Sequence, residues 1–268
     1  MKKLILLMGC TLFIMVYSCS NHGFEPVTKN TEKQQQVKNK QTKNKKETEV
    51  IKGTEQGKPQ YRINPNDWSI EPISKANRKI VLITIDDVPD KHAVEMAGLL
   101  KALGVPAIFF VNGHFIDSPE GRAKLRHISQ MGFAIGNHTY HHTNLKELSE
   151  LEQYNEIVTL NNEIEKITGD RPKFFRAPFG VNTPYSRKIA AQEKMAIMNW
   201  TYGYDWEPAY QNKTALTSIM VNSPYLTRGA NLLMHDRPWT KEALPDIIAG
   251  LKKKGYGFVD PALIEVPS

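Results

Sequence analysis

From Lys79 onward, short apolar runs alternate with longer amphipathic segments, and this alternation restricts the chain to a few folds. Strands that alternate with helices predict βαβ units around a parallel sheet. Roughly seven such units indicate an α/β fold, a distorted (β/α) barrel with parallel strands. The predicted strands are 80–85, 107–111, 133–137, 174–178, 196–202, 230–235 and 257–260. The predicted helices are 91–103, 119–131, 147–168, 184–194, 213–221 and 241–253.

The basic charge of the chain is concentrated before this pattern begins. The formal net charge is +7, of which Lys2 and Lys3 supply +2. Residues 20–60 contain nine lysines and five glutamates and supply +4, which leaves +1 for residues 61–268. Because a nucleic-acid-binding domain carries clustered basic charge on its folded part, we expect no nucleic-acid partner. A basic segment outside the domain suits an anionic membrane or wall polymer.

The first nineteen residues have the pattern of a lipoprotein-type signal peptide (1–19). Lys2 and Lys3 precede an apolar run that is long for a signal-peptide core and short for a typical membrane span. The segment VYSCS resembles a bacterial lipobox with Cys19 as the lipidated residue, and Cys10 is a competing position. A plain secretory signal and an uncleaved anchor are the alternatives. All of them predict an extracytoplasmic domain, here a membrane lipoprotein that faces the cell wall.

The rest of the chain divides into three segments. Residues 20–60 have almost no apolar side chains and cannot bury enough surface to offset their ordering entropy, so we predict a flexible basic tether. A lead-in segment follows at 61–77, and the folded domain occupies 78–268. Both cysteines, Cys10 and Cys19, precede the tether. Any metal in the domain must therefore be held by histidines and carboxylates.

Polar residues cluster where the predicted strands end, which is where the chemistry of such barrels is found. They are Asp86 and Asp87 after the first strand, His138, His141 and His142 after the third, Arg176 in the fourth, Asp205 and Trp206 after the fifth, and His235 and Asp236 at the sixth. These are the residue types that a hydrolytic metal site requires.

His138 and His142 are candidate metal ligands because they lie four residues apart. If the chain turns helically there, both side chains point the same way and can bind one ion. Two neutral imidazoles and a carboxylate leave an open position for water on zinc, and Asp86 or Asp87 could supply the carboxylate. Two solvated surface histidines would show the same spacing, but the paired aspartates at another strand end favour a metal site. Arg176 lies among apolar residues, which indicates a buried ion pair.

These residues form five ordered motifs that resemble those of the polysaccharide deacetylase family, the NodB-homology group of carbohydrate esterase family 4. TIDDVP (84–89) resembles TFDDGP, HTYHH (138–142) resembles H-[ST]-x-x-H, RAPFG (176–180) resembles RxPYG, DW (205–206) resembles the Asp-Trp motif, and LMH (233–235) resembles LxH. The similarity covers about residues 78–262 and implies the distorted barrel of that family.

The resemblance implies a metal-dependent deacetylase. The implied ligands are Asp87, His138 and His142, and they would hold a divalent ion, usually Zn²⁺, with Co²⁺, Ni²⁺ or Mn²⁺ as alternatives. Asp86 is the implied general base, positioned by Arg176. His235 is the implied general acid, oriented by Asp205. The implied substrate-binding residues are Phe179, through its backbone amide, Trp206 and Leu233.

The expected substrate is N-acetylglucosamine in peptidoglycan or a related cell-envelope glycan, with acetate as a product and the enzyme as a monomer. Two alternatives remain open: an envelope-glycan-binding protein with little catalysis, and an O-acetyl ester deacetylase on the same scaffold. Four departures from the family motifs matter. Val88 replaces a glycine and could reshape the acetyl pocket, and Phe179 replaces a tyrosine. Thr143 stands in place of a proline after His142, and the segment before Asp205 is one residue short.

Overall fold

The structure, a computed structural model, describes residues 58–73 and 75–268. The predicted signal peptide and all but the end of the predicted tether lie outside the described residues, as do Cys10 and Cys19. Within the described part of the chain, no helix has both the length and the apolar character needed to cross a membrane.

A parallel sheet of eight strands forms the centre of the domain. The strands, numbered along the chain, are β1 (Tyr61–Ile63), β2 (Ile70–Pro72), β3 (Ile80–Val88), β4 (Ile108–Val111), β5 (Ala134–Asn137), β6 (Phe174–Phe175), β7 (Ala196–Ile197), β8 (Tyr202–Gly203), β9 (Ala230–His235) and β10 (Gly257–Phe258). The order across the sheet is β7-β6-β5-β4-β3-β9-β8, and β10 pairs with the start of β3. This confirms the predicted parallel sheet and distorted (β/α) barrel.

Helices connect the strands, as predicted. They are α1 (Ala93–Ala102), α2 (Pro119–Gln130), α3 (Glu150–Tyr154), α4 (Leu160–Thr168), α5 (Pro184–Gln192), α6 (Lys213–Asn222) and α7 (Pro238–Lys253). The predicted helix 147–168 begins only at Glu150, where the Ser149 side chain caps it, and a π-helical segment joins α3 to α4. Gly169, with φ of 87°, ends it as expected, because glycine adopts this left-handed conformation without steric cost.

Strand β3 shows how the sheet divides the core. Val81, Ile83 and Ile85 pack in the larger core with residues of the helices, whereas Ile80 and Leu82 belong to a second cluster on the opposite face. Alternate residues of a strand point to opposite faces. Thr84 and Asp86 therefore continue the inward-facing row of Ile80 and Leu82, and this row carries Asp86 to the carboxyl end of the barrel.

The prediction of one strand over 196–202 is wrong. Its residues form β7 and β8, two short strands that lie at opposite edges of the sheet, and the chain between them spans the opening of the barrel. The backbone N–H groups of Met198 and Thr201 still donate to strand carbonyls, and side chains bind the carbonyls of this span. Arg176 donates to the carbonyls of Met198 and Asn199, and the Asn231 amide donates to the carbonyl of Asn199. Buried backbone carbonyls require such partners.

The lead-in segment contains a β-hairpin that the sequence did not predict. Strands β1 and β2 pair antiparallel, outside the parallel sheet. Tyr61 and Ile70 pack with Ile80 and Leu82 in the smaller core cluster, together with Ile264 near the C-terminus. The hairpin thus covers apolar side chains of the barrel interior.

Candidate metal centre and active site

A cavity of about 400 Å³ lies at the carboxyl ends of the strands. It is lined by Asp86, Asp87, His138, His142, Phe179, Trp200, Trp206, Leu233, His235 and Arg237. Most of the sequence-predicted site residues therefore meet in one place. Arg176 and Asp205 stand behind this lining, where they contact Asp86 and His235.

An irregularity at the end of β3 brings both adjacent aspartates into the cavity. In a regular strand Asp86 and Asp87 would point to opposite faces. The pairing of β3 with β4 shifts register between Ile85 and Val88, and Asp87 has a left-handed backbone with φ of 58°. Bulges of this kind re-aim side chains next to functional sites. Val88 returns to the larger core and is fully buried, so its bulk does not enter the cavity.

Asp87, His138 and His142 form a group that suits a metal ion. Asp87 Oδ1 lies 3.9 Å from His138 Nε2 and 3.6 Å from His142 Nε2. One ligand atom from each of the three residues lies within 4.8 Å of the others. Two imidazoles and a carboxylate are a common donor set for zinc and also suit other divalent transition ions.

Both imidazoles are held in the neutral form that metal binding requires. His138 Nδ1 donates to the carbonyl of Arg176 at 2.7 Å, which leaves the Nε2 lone pair directed at the cluster. Burial lowers the pKa of His138 to about 3 and also lowers the pKa of His142. A hydrogen bond to the second ring nitrogen fixes the orientation of a ligating histidine.

The expectation of a helical turn between His138 and His142 is wrong. These residues lie in an irregular loop in which Thr139 and His142 have left-handed backbones, with φ of 68° and 57°. The two imidazoles converge because of these backbone conformations, with ring centres 4.9 Å apart. The i, i+4 spacing therefore singled out these two histidines on the basis of a helical geometry that the structure does not have.

The π-helical segment Asn155–Thr159 supports this loop. Glu156 lies in that segment, and its carboxylate accepts from the backbone N–H of His141 at 2.8 Å and pairs with His141 Nδ1 at 2.6 Å. Its carbonyl accepts from the N–H of Tyr140. π-Helical turns alter the carbonyl register of a helix and are common at functional sites. His141 is therefore bound to Glu156 and does not line the cavity, although it lies between the two candidate ligands in sequence.

Asp86 and Arg176 form a buried pair beside the metal-binding group. The Arg176 guanidinium is fully buried and donates to Asp86 Oδ1 at 2.6 Å and to the Thr84 hydroxyl at 2.8 Å. Burial raises the pKa of Asp86, and the charge of Arg176 opposes that effect. The second oxygen of Asp86, Oδ2, lies 3.5 Å from His138 Nε2. A carboxylate of raised basicity next to a metal site can accept a proton from water.

His235 and Asp205 form a second pair across the cavity. Asp205 Oδ1 lies 2.7 Å from His235 Nδ1, and Asp205 Oδ2 accepts from the backbone N–H of His235 and from the Thr240 hydroxyl. Burial alone would lower the pKa of His235, but the Asp205 carboxylate outweighs it and the pKa is raised. The short segment before Asp205 therefore still presents this carboxylate to the imidazole.

Aromatic side chains wall the cavity. Phe179 is 64% exposed and lies edge-on to His142, with ring centres 4.9 Å apart. Trp206 is 45% exposed and packs edge-on to His235 at 5.6 Å and to Trp200 at 6.3 Å. The buried side chain of Leu233 completes the lining. Exposed aromatic faces beside polar groups suit the binding of a sugar.

Comparison with known proteins identifies the family of this site. A family model described as polysaccharide deacetylase matches residues 73–198. The peptidoglycan-N-acetylglucosamine deacetylase of Bacillus cereus is 32% identical over 190 residues, which cover 68% of this chain and 67% of that protein. The chain belongs to the polysaccharide deacetylase family.

Solved structures of carbohydrate esterase family 4 show the same fold. BA3943 of Bacillus anthracis, a pseudoenzyme, has a TM-score of 0.63 and 29% identity, with 69% of this chain and 64% of that chain covered. The peptidoglycan deacetylase PdaC of Bacillus subtilis has a TM-score of 0.62 and 29% identity, with 69% of this chain and 89% of that chain covered. Several curated family members are longer: the chain spans 39% of the Listeria monocytogenes deacetylase PgdA.

Three residues of this family member take part in the site without having been assigned a role from sequence. Trp200 lines the cavity, although the apolar run around it suggested a strand interior. Asp236 is buried and accepts from the backbone N–H groups of Asp90, His92 and Ala93, which ties the end of β9 to the start of α1. Arg237 donates to Asp87 at 3.0 Å. The only sequence signal for Asp236 and Arg237 was their position directly after a strand.

Proposed function

We propose that the protein is a metal-dependent deacetylase that hydrolyses the N-acetyl groups of N-acetylglucosamine units in peptidoglycan or a related envelope glycan. The observation that carries this proposal is one cavity in which a two-histidine, one-carboxylate group lies next to a buried aspartate and across from an aspartate-paired histidine. Asp87, His138 and His142 would hold the ion. A divalent ion at that position supplies a Lewis acid that polarises the amide carbonyl and activates water.

Asp86 accepts the proton of the attacking water. Its Oδ1 is held by Arg176, so Oδ2 is the oxygen that remains for proton transfer. Burial of the carboxyl raises its pKa and makes it a stronger base than an exposed aspartate. The Phe179 N–H finds no protein acceptor among the described residues, and it can donate to the oxyanion that forms on the acetyl group.

His235 donates a proton to the leaving nitrogen. An amine cannot depart as an anion at a useful rate, so amide hydrolysis needs a general acid at this point. Asp205 stabilises the imidazolium form of His235 and fixes the ring, with its Nδ1 bound to the carboxylate. The Nε2 nitrogen is then the proton donor. The products are acetate and a free amino sugar.

The proposed cellular setting follows from the N-terminal sequence. A lipid on Cys19 would anchor the chain to the membrane, and residues 20–60 would let a monomeric domain reach the overlying wall. Relatives in Bacillus cereus and Bacillus subtilis are named as deacetylases of peptidoglycan, which supports a substrate of this class. Acetylated envelope polysaccharide is therefore the proposed partner.

Two other functions make different predictions. The second candidate is a glycan-binding protein with little or no catalysis, since BA3943, a pseudoenzyme, has the same fold. Asp86, His235 and the three proposed metal ligands all line the cavity, and this supports catalysis over binding alone. The third candidate, an O-acetyl ester deacetylase, needs His235 less, because an alkoxide leaves more readily than an amide anion.

Acetate release from N-acetylchitooligosaccharides and from purified peptidoglycan tests the proposal. We expect release that stops on chelation, returns with zinc and is lost in Asp86→Asn while metal uptake is kept. Asp90→Asn, in the turn directly after β3, is the matched control and should retain activity. Metal uptake without acetate release from any acetylated glycan would favour the binding protein, and release from O-acetylated glycans alone would favour the esterase.

A further inference from the structure

Each of the two adjacent aspartates has its own arginine partner, and only one of these pairs has a role in the reaction proposed above. Asp86 pairs with Arg176 inside the barrel. Asp87 pairs with Arg237, whose side chain is 37% exposed at the mouth of the cavity. The second pair joins the candidate metal ligand to the end of β9, next to His235.

Arg237 is anchored at the start of α7. Its backbone N–H donates to the carbonyl of His235 at 2.8 Å, and its Nη1 donates to the carbonyl of Asp236 at 3.1 Å. The remaining terminal nitrogen, Nη2, donates to Asp87 Oδ2 at 3.0 Å. The guanidinium thus reaches Asp87 from a fixed position, with two of its nitrogens engaged at once.

The two oxygens of Asp87 face different partners. Oδ1 points to His138 Nε2 and His142 Nε2, and Oδ2 points to Arg237. We propose that Arg237 is a positioning residue that determines which oxygen of Asp87 the bound ion meets. This inference rests on the proposed metal-dependent function, since it assigns a role at that same site.

A carboxylate on its own would not keep this arrangement. The torsion that orients a carboxylate is broad, so an unrestrained aspartate can turn either oxygen, or both, toward a cation. A charge-assisted hydrogen bond from a planar guanidinium restricts that rotation. Partners that orient a metal ligand typically change metal affinity or activity by about 10- to 100-fold when they are removed.

Lysine cannot fully replace this arginine. A guanidinium presents several donors in a fixed plane and can bind the carbonyl of Asp236 and the carboxylate of Asp87 together, whereas an ammonium is a point charge on a flexible chain. Arg237→Lys keeps the charge and weakens the orientation. Arg237→Met removes the charge and the hydrogen bonds that orient Asp87, and keeps a side chain of roughly similar length.

Cobalt substitution tests the inference in the full chain. The visible absorption of bound Co²⁺ depends on the number and arrangement of its ligands, so it reports the ion environment without any turnover. We expect Arg237→Met to shift the absorption maximum and change its intensity, with kcat about 10-fold lower and KM within about 2-fold of the wild type. Arg237→Lys should lie between Arg237→Met and the wild type.

Lys241→Met is the matched control, because Lys241 lies one turn further along α7 and pairs with Glu95 at the surface. Its cobalt spectrum should match that of the wild type. A spectrum of Arg237→Met that superimposes on the wild type would overturn the inference. A rise in KM with unchanged kcat would also overturn it, since it would make Arg237 a substrate-binding residue. Failure of the wild-type chain to bind cobalt would instead refute the proposed metal-dependent function, and this inference with it.

Discussion

The two sides of the cavity are built in different ways. On the metal side, Asp87 near the end of β3 and His142 in the loop after β5 are partly exposed, and both have left-handed backbones, with φ of 58° and 57°. On the proton-transfer side, Asp86, Arg176 and Asp205 are almost completely buried. Two of the three groups on the metal side therefore lie at the rim of the cavity, on left-handed backbone that neighbouring contacts must hold, whereas His138 and the proton-transfer side are part of the core.

The difference has an energetic meaning. A left-handed backbone costs roughly 1–2 kcal/mol for a residue with a Cβ, so other contacts must hold the loops of the metal side. Removal of one partner of a buried ion pair leaves an uncompensated charge in the core and costs several kcal/mol. We therefore expect substitutions on the metal side to remove function while the fold remains, and substitutions on the other side to affect both.

The largest effect should come from His142→Asn. Asparagine tolerates the left-handed backbone better than alanine, so this change removes the imidazole with little added strain. We expect weak or absent zinc binding and a loss of kcat/KM of roughly 10⁴-fold, the equivalent of several kcal/mol of transition-state stabilisation. Calorimetric titration measures zinc binding, acetate release measures activity, and circular dichroism reports the fold. His127→Asn, at an exposed position, is the control. If His142→Asn lost its fold as well as its zinc binding, this would contradict the expectation that metal-side substitutions leave the fold intact.

Arg176→Met should be the most damaging change to stability. It leaves Asp86 buried without its cation and removes donors to Met198 and Asn199. We expect the free energy of unfolding to fall by about 3–5 kcal/mol in urea denaturation. Arg237→Met removes the corresponding partner of Asp87 at the surface and should cost under about 1 kcal/mol. An equal loss in the free energy of unfolding for the two variants would contradict the claim that the proton-transfer side is part of the core whereas Asp87 lies at the rim of the cavity.

Asp205→Asn should change the pH dependence of the reaction. Asp205 raises the pKa of His235, and the protonated form that donates to the leaving nitrogen exists below that pKa. Removing the carboxylate lowers the pKa, so the alkaline limb of the kcat/KM profile should move to lower pH, with kcat about 10²-fold lower. Thr240→Val removes a neutral partner of Asp205 and should shift the limb little. A limb that stays in place in Asp205→Asn would show that His235 is not the acid.

The smallest effect is expected for Glu156→Gln. This change weakens the bonds of the carboxylate to His141, which support the loop that carries His142. We expect zinc affinity to fall about 10-fold, as measured by competition with a chromophoric chelator. Glu150→Gln, at an exposed position in the adjoining helix α3, is the control. Unchanged affinity in Glu156→Gln would mean that the loop keeps its conformation unaided.

Much of the fold, and the residues that line the cavity, could be predicted because their sequence signals are local. Apolar runs predicted the strands. Position at the strand ends singled out Asp86, Asp87, His138, His142 and His235 as candidate site residues. The geometry could not be predicted in the same way. The spacing of His138 and His142 suggested a helical turn, but their convergence depends on a loop that Glu156 supports from another part of the chain.

Long-range contacts explain the remaining errors. The apolar run at 196–202 has the composition of one strand. In the structure its two ends pair at opposite edges of the sheet, because the sheet does not close into a full barrel. Arg237 lies 150 residues from Asp87 in sequence, so no local pattern could reveal their contact. From sequence, the bulk of Val88 could have reshaped the pocket, but the register shift in β3 turns its side chain into the larger core.

One titration tests the central claim, that Asp87, His138 and His142 hold a divalent ion on which hydrolysis depends. The metal-free protein is titrated with zinc while bound metal and acetate release from a chitooligosaccharide are followed in the same samples. We predict that both rise together and level off near about one ion per chain, the capacity of a single three-ligand group. Acetate release by the metal-free protein, or zinc uptake that brings no acetate release, would contradict this account.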